Sequence, residues 1–80
     1  MCEETLSQYV VVRVRALLQA EDAYDPWRLN VRSPQLDDLG VIVEVLSTPG
    51  FPHKYVIENS DSDGRTIWLS EFVAEEIMPI

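Results

Sequence analysis

Gly40-Val41-Ile42-Val43-Glu44-Val45-Leu46 is the most β-prone run in the chain. Val41, Val43 and Val45 fall on one face and Ile42, Glu44 and Leu46 on the other, and both faces are largely apolar, as in a central strand. Thr48-Pro49-Gly50-Phe51-Pro52 cannot continue it, because proline lacks a ladder donor and the Pro-Gly pair marks a turn. His53-Lys54-Tyr55-Val56-Ile57-Glu58 reads as the next strand. Ser60-Asp61-Ser62-Asp63-Gly64 supplies a hairpin connection, with Asp-Gly its strongest element, and Arg65-Thr66-Ile67-Trp68-Leu69 is the strand that returns. The centre of the chain is therefore β.

Working outward, Val10-Val11-Val12-Arg13-Val14-Arg15 is dense in β-branched residues and predicts a strand from about Gln8 to Leu18. Ala16-Leu17-Leu18-Gln19-Ala20 either extends it or forms a helical turn, since these residues favour helix on propensity. Residues 19–39 have no sustained period and hold the turn signals Asp25-Pro26, Asn30 and Ser33-Pro34. A loop this long is uncommon in a small domain, and it carries Tyr24, Trp27 and Leu29. It is either a lid over the core or a binding surface. At the other end, Ser70 is placed to cap a short helical turn over Glu71-Phe72-Val73-Ala74. Ile77-Met78-Pro79-Ile80 is a final short strand, which Pro79 confines to an edge. The first-strand valines with Val41, Val43 and Ile57 are the expected core.

Eighty residues make one domain with a small core. Residues 1–7 are expected to be a flexible N-terminus and 8–80 the domain. No apolar run approaches the length of a membrane span. Met1-Cys2-Glu3-Glu4 is acidic where a secretory leader is basic, and a single cysteine forms no internal disulfide. The expectation is a soluble, cytoplasmic protein. Net charge is −8; the first 32 residues carry four arginines against five acids, and the remaining 48 carry Lys54 and Arg65 against nine. Such a field repels nucleic acid and anionic membranes, and it either serves solubility alone or suits a basic protein partner.

Five strands, a long first loop and one helical turn before the last strand resemble an SH3-like barrel over Gln8 to Ile80. Gly64-Arg65-Thr66-Ile67-Trp68-Leu69-Ser70-Glu71-Phe72-Val73 is similar in rhythm to the fourth strand and short helix of SH3 domains. Ser70, Phe72 and Val73 match in type, while Leu69 and Glu71 stand where that family has proline and asparagine. Val12-Arg13-Val14, Arg32-x-Pro34, Gly40-Val41-Ile42-Val43 and Tyr55-Val56-Ile57 are similar to the barrel of nitrile hydratase beta subunits. The variable chain of ferredoxin–thioredoxin reductase has a comparable layout. These resemblances imply a five-stranded, all-β SH3-like barrel acting as a non-catalytic accessory subunit.

The residues offer little for catalysis. His53 is the only histidine and Cys2 the only cysteine, and nothing places them together or gives them an orienting third group. They are too few for zinc, and Asp61-x-Asp63-Gly64 departs from a calcium loop at Arg65. The expectation is no enzyme, no metal and no cofactor. The aromatics Tyr24, Trp27, Tyr55 and Trp68, with Arg28 beside Trp27, form the candidate partner-binding set, since aromatic and arginine side chains anchor interfaces. The alternative is that Trp68 is core and Trp27 covers it. The expected function is a small acidic interaction or accessory module whose partner is a basic protein or a larger enzyme subunit. A nucleic-acid-binding barrel of the ribosomal or transcription-factor type is the alternative.

Overall fold

A computed structural model describes residues 6–80 of the chain. Five strands form one antiparallel sheet: β1 (Val11–Val14), β2 (Leu39–Leu46), β3 (Lys54–Ser60), β4 (Thr66–Val73) and β5 (Ile77–Pro79). The spatial order is β4-β3-β2-β1-β5, so consecutive strands pair until the chain crosses from β4 to β5. The only helical pieces among the described residues are two 3₁₀ turns, Glu21–Tyr24 and Ala74–Glu76. The all-β expectation holds. The sheet is not closed, however, and β4 and β5 remain its edges.

Three local expectations need correction. The strand foreseen over residues 8–18 shrinks to four residues. Tyr9 adopts a left-handed φ of 74°, which ends the extended run on one side. On the other side the Arg15 and Ala16 N–H groups both donate to the Glu76 carbonyl (2.7 and 3.3 Å), which turns the chain out of the sheet. No helix forms over Ala16–Ala20. Ser70 is not a helix cap either: it lies inside β4 and is buried, and the turn comes later, at Ala74–Glu76. β4 runs on through eight residues because Trp68, Ser70 and Phe72 alternate inward along it. Finally, the long first loop carries a 3₁₀ turn that the sequence did not signal.

The core comprises Val12, Val14, Tyr24, Ile42, Tyr55, Ile57, Trp68, Phe72 and Ile77. Val41 and Val43, expected there, are only half-buried, and Ile42 takes their place. Strand parity explains this, together with an irregularity of register between Ile42 and Glu44. Before it the even positions Gly40 and Ile42 point inward; after it Val45, opposite Tyr55, packs on the core. Gly40 is fixed by close approach, since a Cβ there would stand 2.5 Å from Ile57 Cγ2 and 3.0 Å from the Glu58 carbonyl oxygen. The Asp-Gly turn forms as read. Gly64 takes a φ of 83°, and Asp61 Oδ1 accepts the Asp63 and Arg65 N–H groups, each at 2.9 Å. Of the expected flexible tail 1–7, residues 1–5 (Cys2 among them) lie outside the described residues, while Leu6 packs against the core.

Candidate interaction surface

Residues 15–38 connect β1 to β2, and three side chains tie them down. The first is Glu76, fully buried at the end of the second 3₁₀ turn. Its carboxylate accepts the Leu18 N–H (2.8 Å), Gln19 Nε2 (2.8 Å), the Val73 N–H (3.0 Å) and the Tyr24 hydroxyl. Four donors are what a buried carboxylate requires to offset lost hydration. Gln19 extends the cluster: its Nε2 also donates to the Glu71 carbonyl (3.0 Å), and its Oε1 accepts Lys54 Nζ (3.2 Å). Tyr24 packs its ring on Phe72, with centroids 5.3 Å apart. Burial, then the hydrogen bond to Glu76, pushes the Tyr24 hydroxyl up to about 12.

Asn30 is the second tie. Its Nδ2 donates to the Tyr24 carbonyl (2.8 Å), and its Oδ1 accepts the Leu69 N–H of β4 (2.9 Å). The Val31 N–H donates to the Ile67 carbonyl at 2.7 Å. Asp25 braces this stretch from outside, its Oδ1 accepting the Leu29 and Asn30 N–H groups (3.0 and 3.3 Å). The third tie is Asp38, which accepts both terminal nitrogens of Arg32 (2.8 and 3.2 Å), the Gln35 N–H (2.9 Å) and the Trp68 indole N–H (3.0 Å). Burial acts to raise the Asp38 carboxyl, but these donors and the Arg32 charge outweigh it and hold its pKa below the usual carboxylate range.

The aromatic set named from sequence divides. Tyr24, Tyr55 and Trp68 are core residues, and Phe72 joins Tyr24 to Trp68, the latter at 5.7 Å between centroids. Tyr55 meets His53 edge-on at 6.4 Å. Trp27 and Arg28 stay outside, and Trp27 takes part in none of the ring contacts among the described residues. The structure thus does not gather the five residues into one patch.

What it presents instead is an inverted stretch. Trp27, Leu29 and Val31 are 42, 63 and 75% exposed, while polar Asn30 between the last two turns inward. Asp25, Pro26 and Arg28, the neighbours of Trp27, line an open concavity of about 650 Å³ with Glu21, Asp22 and Ser33. Arg28 holds a left-handed φ of 57°, which turns the chain there. Leu29, Val31 and Asn30 were missing from the sequence-based site. Their signal was an asparagine flanked by two aliphatics in a segment with no other period.

Ser47 Oγ lies 3.3 Å from His53 Nε2, but both are exposed and no carboxylate among the described residues bonds to that imidazole. No group of three or more His, Cys, Asp or Glu side chains among the described residues is placed to hold a metal ion. No helix there is long and apolar enough to cross a membrane. Comparison with protein-family models, curated proteins and solved structures gave no match to this chain.

Proposed function

We propose that the chain is a non-catalytic protein-interaction or accessory-subunit module of SH3-like barrel build, and that it contacts its partner through the outer side of residues 27–31. The inverted stretch carries this reading. Leu29 and Val31 are held in solvent by a backbone bonded at Leu29, Asn30 and Val31, so the exposure is imposed by structure. Burying each such aliphatic side chain against a partner is worth about 1.5–3 kcal/mol, and exposed apolar groups arrayed together mark contact surfaces. Trp27 and Arg28 supply the residue types that most often anchor interfaces. Tyr24 and Trp68 act from below as support, and Tyr55 belongs to the core. The strand order supports the barrel likeness, with residues 19–31 lying along β4 where a closed sheet would continue. A single cysteine in 80 residues supports a reducing, cytoplasmic setting. The acidic chain favours a basic partner or a basic face of a larger enzyme.

The test is affinity capture from host extract with the parent, with Leu29→Ser/Val31→Ser, and with Phe51→Ser. Phe51 is equally exposed, at 71%, but sits in the β2–β3 connection. The proposal expects the double variant to lose a protein that both other baits retain. Equal capture by all three baits removes residues 27–31 as the surface. Labelled oligonucleotides titrated at about 0.15 M salt cover the nucleic-acid alternative, and micromolar binding there would replace the proposal.

A further inference from the structure

The two edges of the sheet are protected in different ways. β5 is blunted by chemistry: Pro79 has no N–H, and the Ile77 N–H is spent on the Ala74 carbonyl. β4 is longer and has no proline. Four of its outward groups are instead taken by other parts of the chain. The Ile67 carbonyl accepts the Val31 N–H, the Leu69 N–H donates to Asn30 Oδ1, and the Glu71 carbonyl accepts Gln19 Nε2. The Val73 N–H donates to Glu76 Oε1. Three of these four bonds come from residues 19–31. That segment stands where a sixth strand would.

The segment is held by unusual means. Between residues 15 and 38 only Tyr24 and Pro34 are buried. Leu17, Leu18, Trp27, Leu29, Val31 and Leu36 all face outward, so the remaining attachment is polar. Regions with few buried apolar contacts open at lower free energy than the core they cover. Three of the attachments, the Leu18 N–H, Gln19 Nε2 and the Tyr24 hydroxyl, converge on one carboxylate, that of Glu76. Convergence couples them, and inside the segment the Gln19 N–H donates to the Tyr24 hydroxyl at 2.9 Å, so that Gln19 and Tyr24 move together.

We propose that residues 18–31 form a strap that opens as one unit while the five-stranded sheet stays folded, with the Tyr24–Glu76 contact as its latch. Opening bares the β4 edge, a template for strand pairing; closing hides it. The strap is therefore a conformational guard on that edge. The inference stands whether or not residues 27–31 meet a partner.

Native-state hydrogen exchange of the full chain tests this with two variants. Strap amides are those of Leu18, Val31 and Leu69, each bonded between the strap and the rest of the chain. Ser70 and Phe72, adjacent in β4 but facing β3 by strand alternation, report on the sheet. Tyr24→Phe removes one charge-assisted bond that only the closed state makes, which raises that state relative to both open forms, and should speed both classes roughly tenfold or more. Ile42→Val trims the core from β2, which β3 separates from β4 in the sheet, and should speed the sheet amides about two- to tenfold. It should leave the strap amides unchanged. A strap that opens only with global unfolding would accelerate in both variants, and that result overturns the proposal. So would the three strap amides exchanging at unrelated rates, which would mean separate fraying. Should Tyr24→Phe fail to fold, the parent and Ile42→Val still decide the question.

Discussion

Residues 39–73 and residues 15–38 satisfy the same physical demands by opposite means. In the three-stranded meander β2–β3–β4 the alternation of side chains does the work. Trp68, Ser70 and Phe72 turn inward and are fully buried while their neighbours are half-buried, and the backbone bonds to itself. In the segment ahead of β2 the order is reversed: Asn30 turns in, Leu29 and Val31 turn out, and the backbone depends on side-chain acceptors at Asp25, Asp38 and Glu76. One region is stabilised chiefly by apolar burial and the other chiefly by polar contacts. The two should respond differently to the same class of perturbation.

The two tryptophans give the sharpest contrast. Trp68 is fully buried, touches Phe72 and gives its indole N–H to Asp38. Trp68→Ala should cost about 3–5 kcal/mol in urea unfolding, from cavity and lost transfer energy together, with Asp38 left short of one donor. A loss below 1.5 kcal/mol would mean that the meander is not the stabilising centre, and the contrast between the regions would fail.

A smaller effect separates the regions by pH. The Tyr24 hydroxyl lies at about 12 in the folded protein against 10.0 ordinarily, because burial and the bond to Glu76 oppose its ionisation. Below pH 10 both folded and unfolded chains hold this proton, and its contribution is complete. As pH rises above 10 the unfolded chain releases the proton first, so stability falls by about 1.4 kcal/mol per pH unit until the folded form ionises near 12. Unfolding midpoints measured across this window should therefore fall more steeply in the parent than in Tyr24→Phe. Equal slopes would show that Tyr24 is not a buried, bonded phenol, and the latch on the segment would go with it.

Legibility in the sequence followed the same division. The strands of the meander could be read because period-2 alternation and the turn residues Pro49-Gly50 and Asp63-Gly64 are local signals. Even there Val41 and Val43 were assigned to the wrong face, since a register irregularity cannot be seen in one strand alone. β1 was read too long because valine density says nothing of where a partner strand stops, and here the stop is the Glu76 carbonyl, sixty-odd positions away in sequence. Residue type alone places Ser70 at a helix cap, whereas from within β4 its hydroxyl donates to the Tyr24 carbonyl. The aromatic set was chosen by residue type as well, and burial split it into Tyr24, Tyr55 and Trp68 beneath and Trp27 with Arg28 above. Glu76, which organises the segment, carried no signal at all: it is one of three acids between positions 71 and 76. Its role depends on which donors the fold brings to it, and those come from residues 18–24 and 73.

The smallest expected stability effect carries the most functional weight. Trp27 is 42% exposed, its indole makes no hydrogen bond among the described residues, and no other ring meets it. The bonds that hold its neighbourhood belong to Asp25, Asn30 and Val31, and none of them needs the Trp27 side chain. Trp27→Ala should therefore lower stability by less than about 1 kcal/mol, in the range of surface substitutions rather than of core truncations. If the inverted stretch is a contact surface, the same change should weaken partner capture by about 2 kcal/mol, roughly thirtyfold. Measuring both on one preparation separates two meanings of an exposed tryptophan. A stability loss near that of Trp68→Ala would make Trp27 a cover for the core, and both regions would then rest on apolar burial. An unchanged melt with unchanged capture would leave Trp27 without a part in either, and would shift the contact surface onto Leu29 and Val31, the two residues whose exposure the backbone enforces.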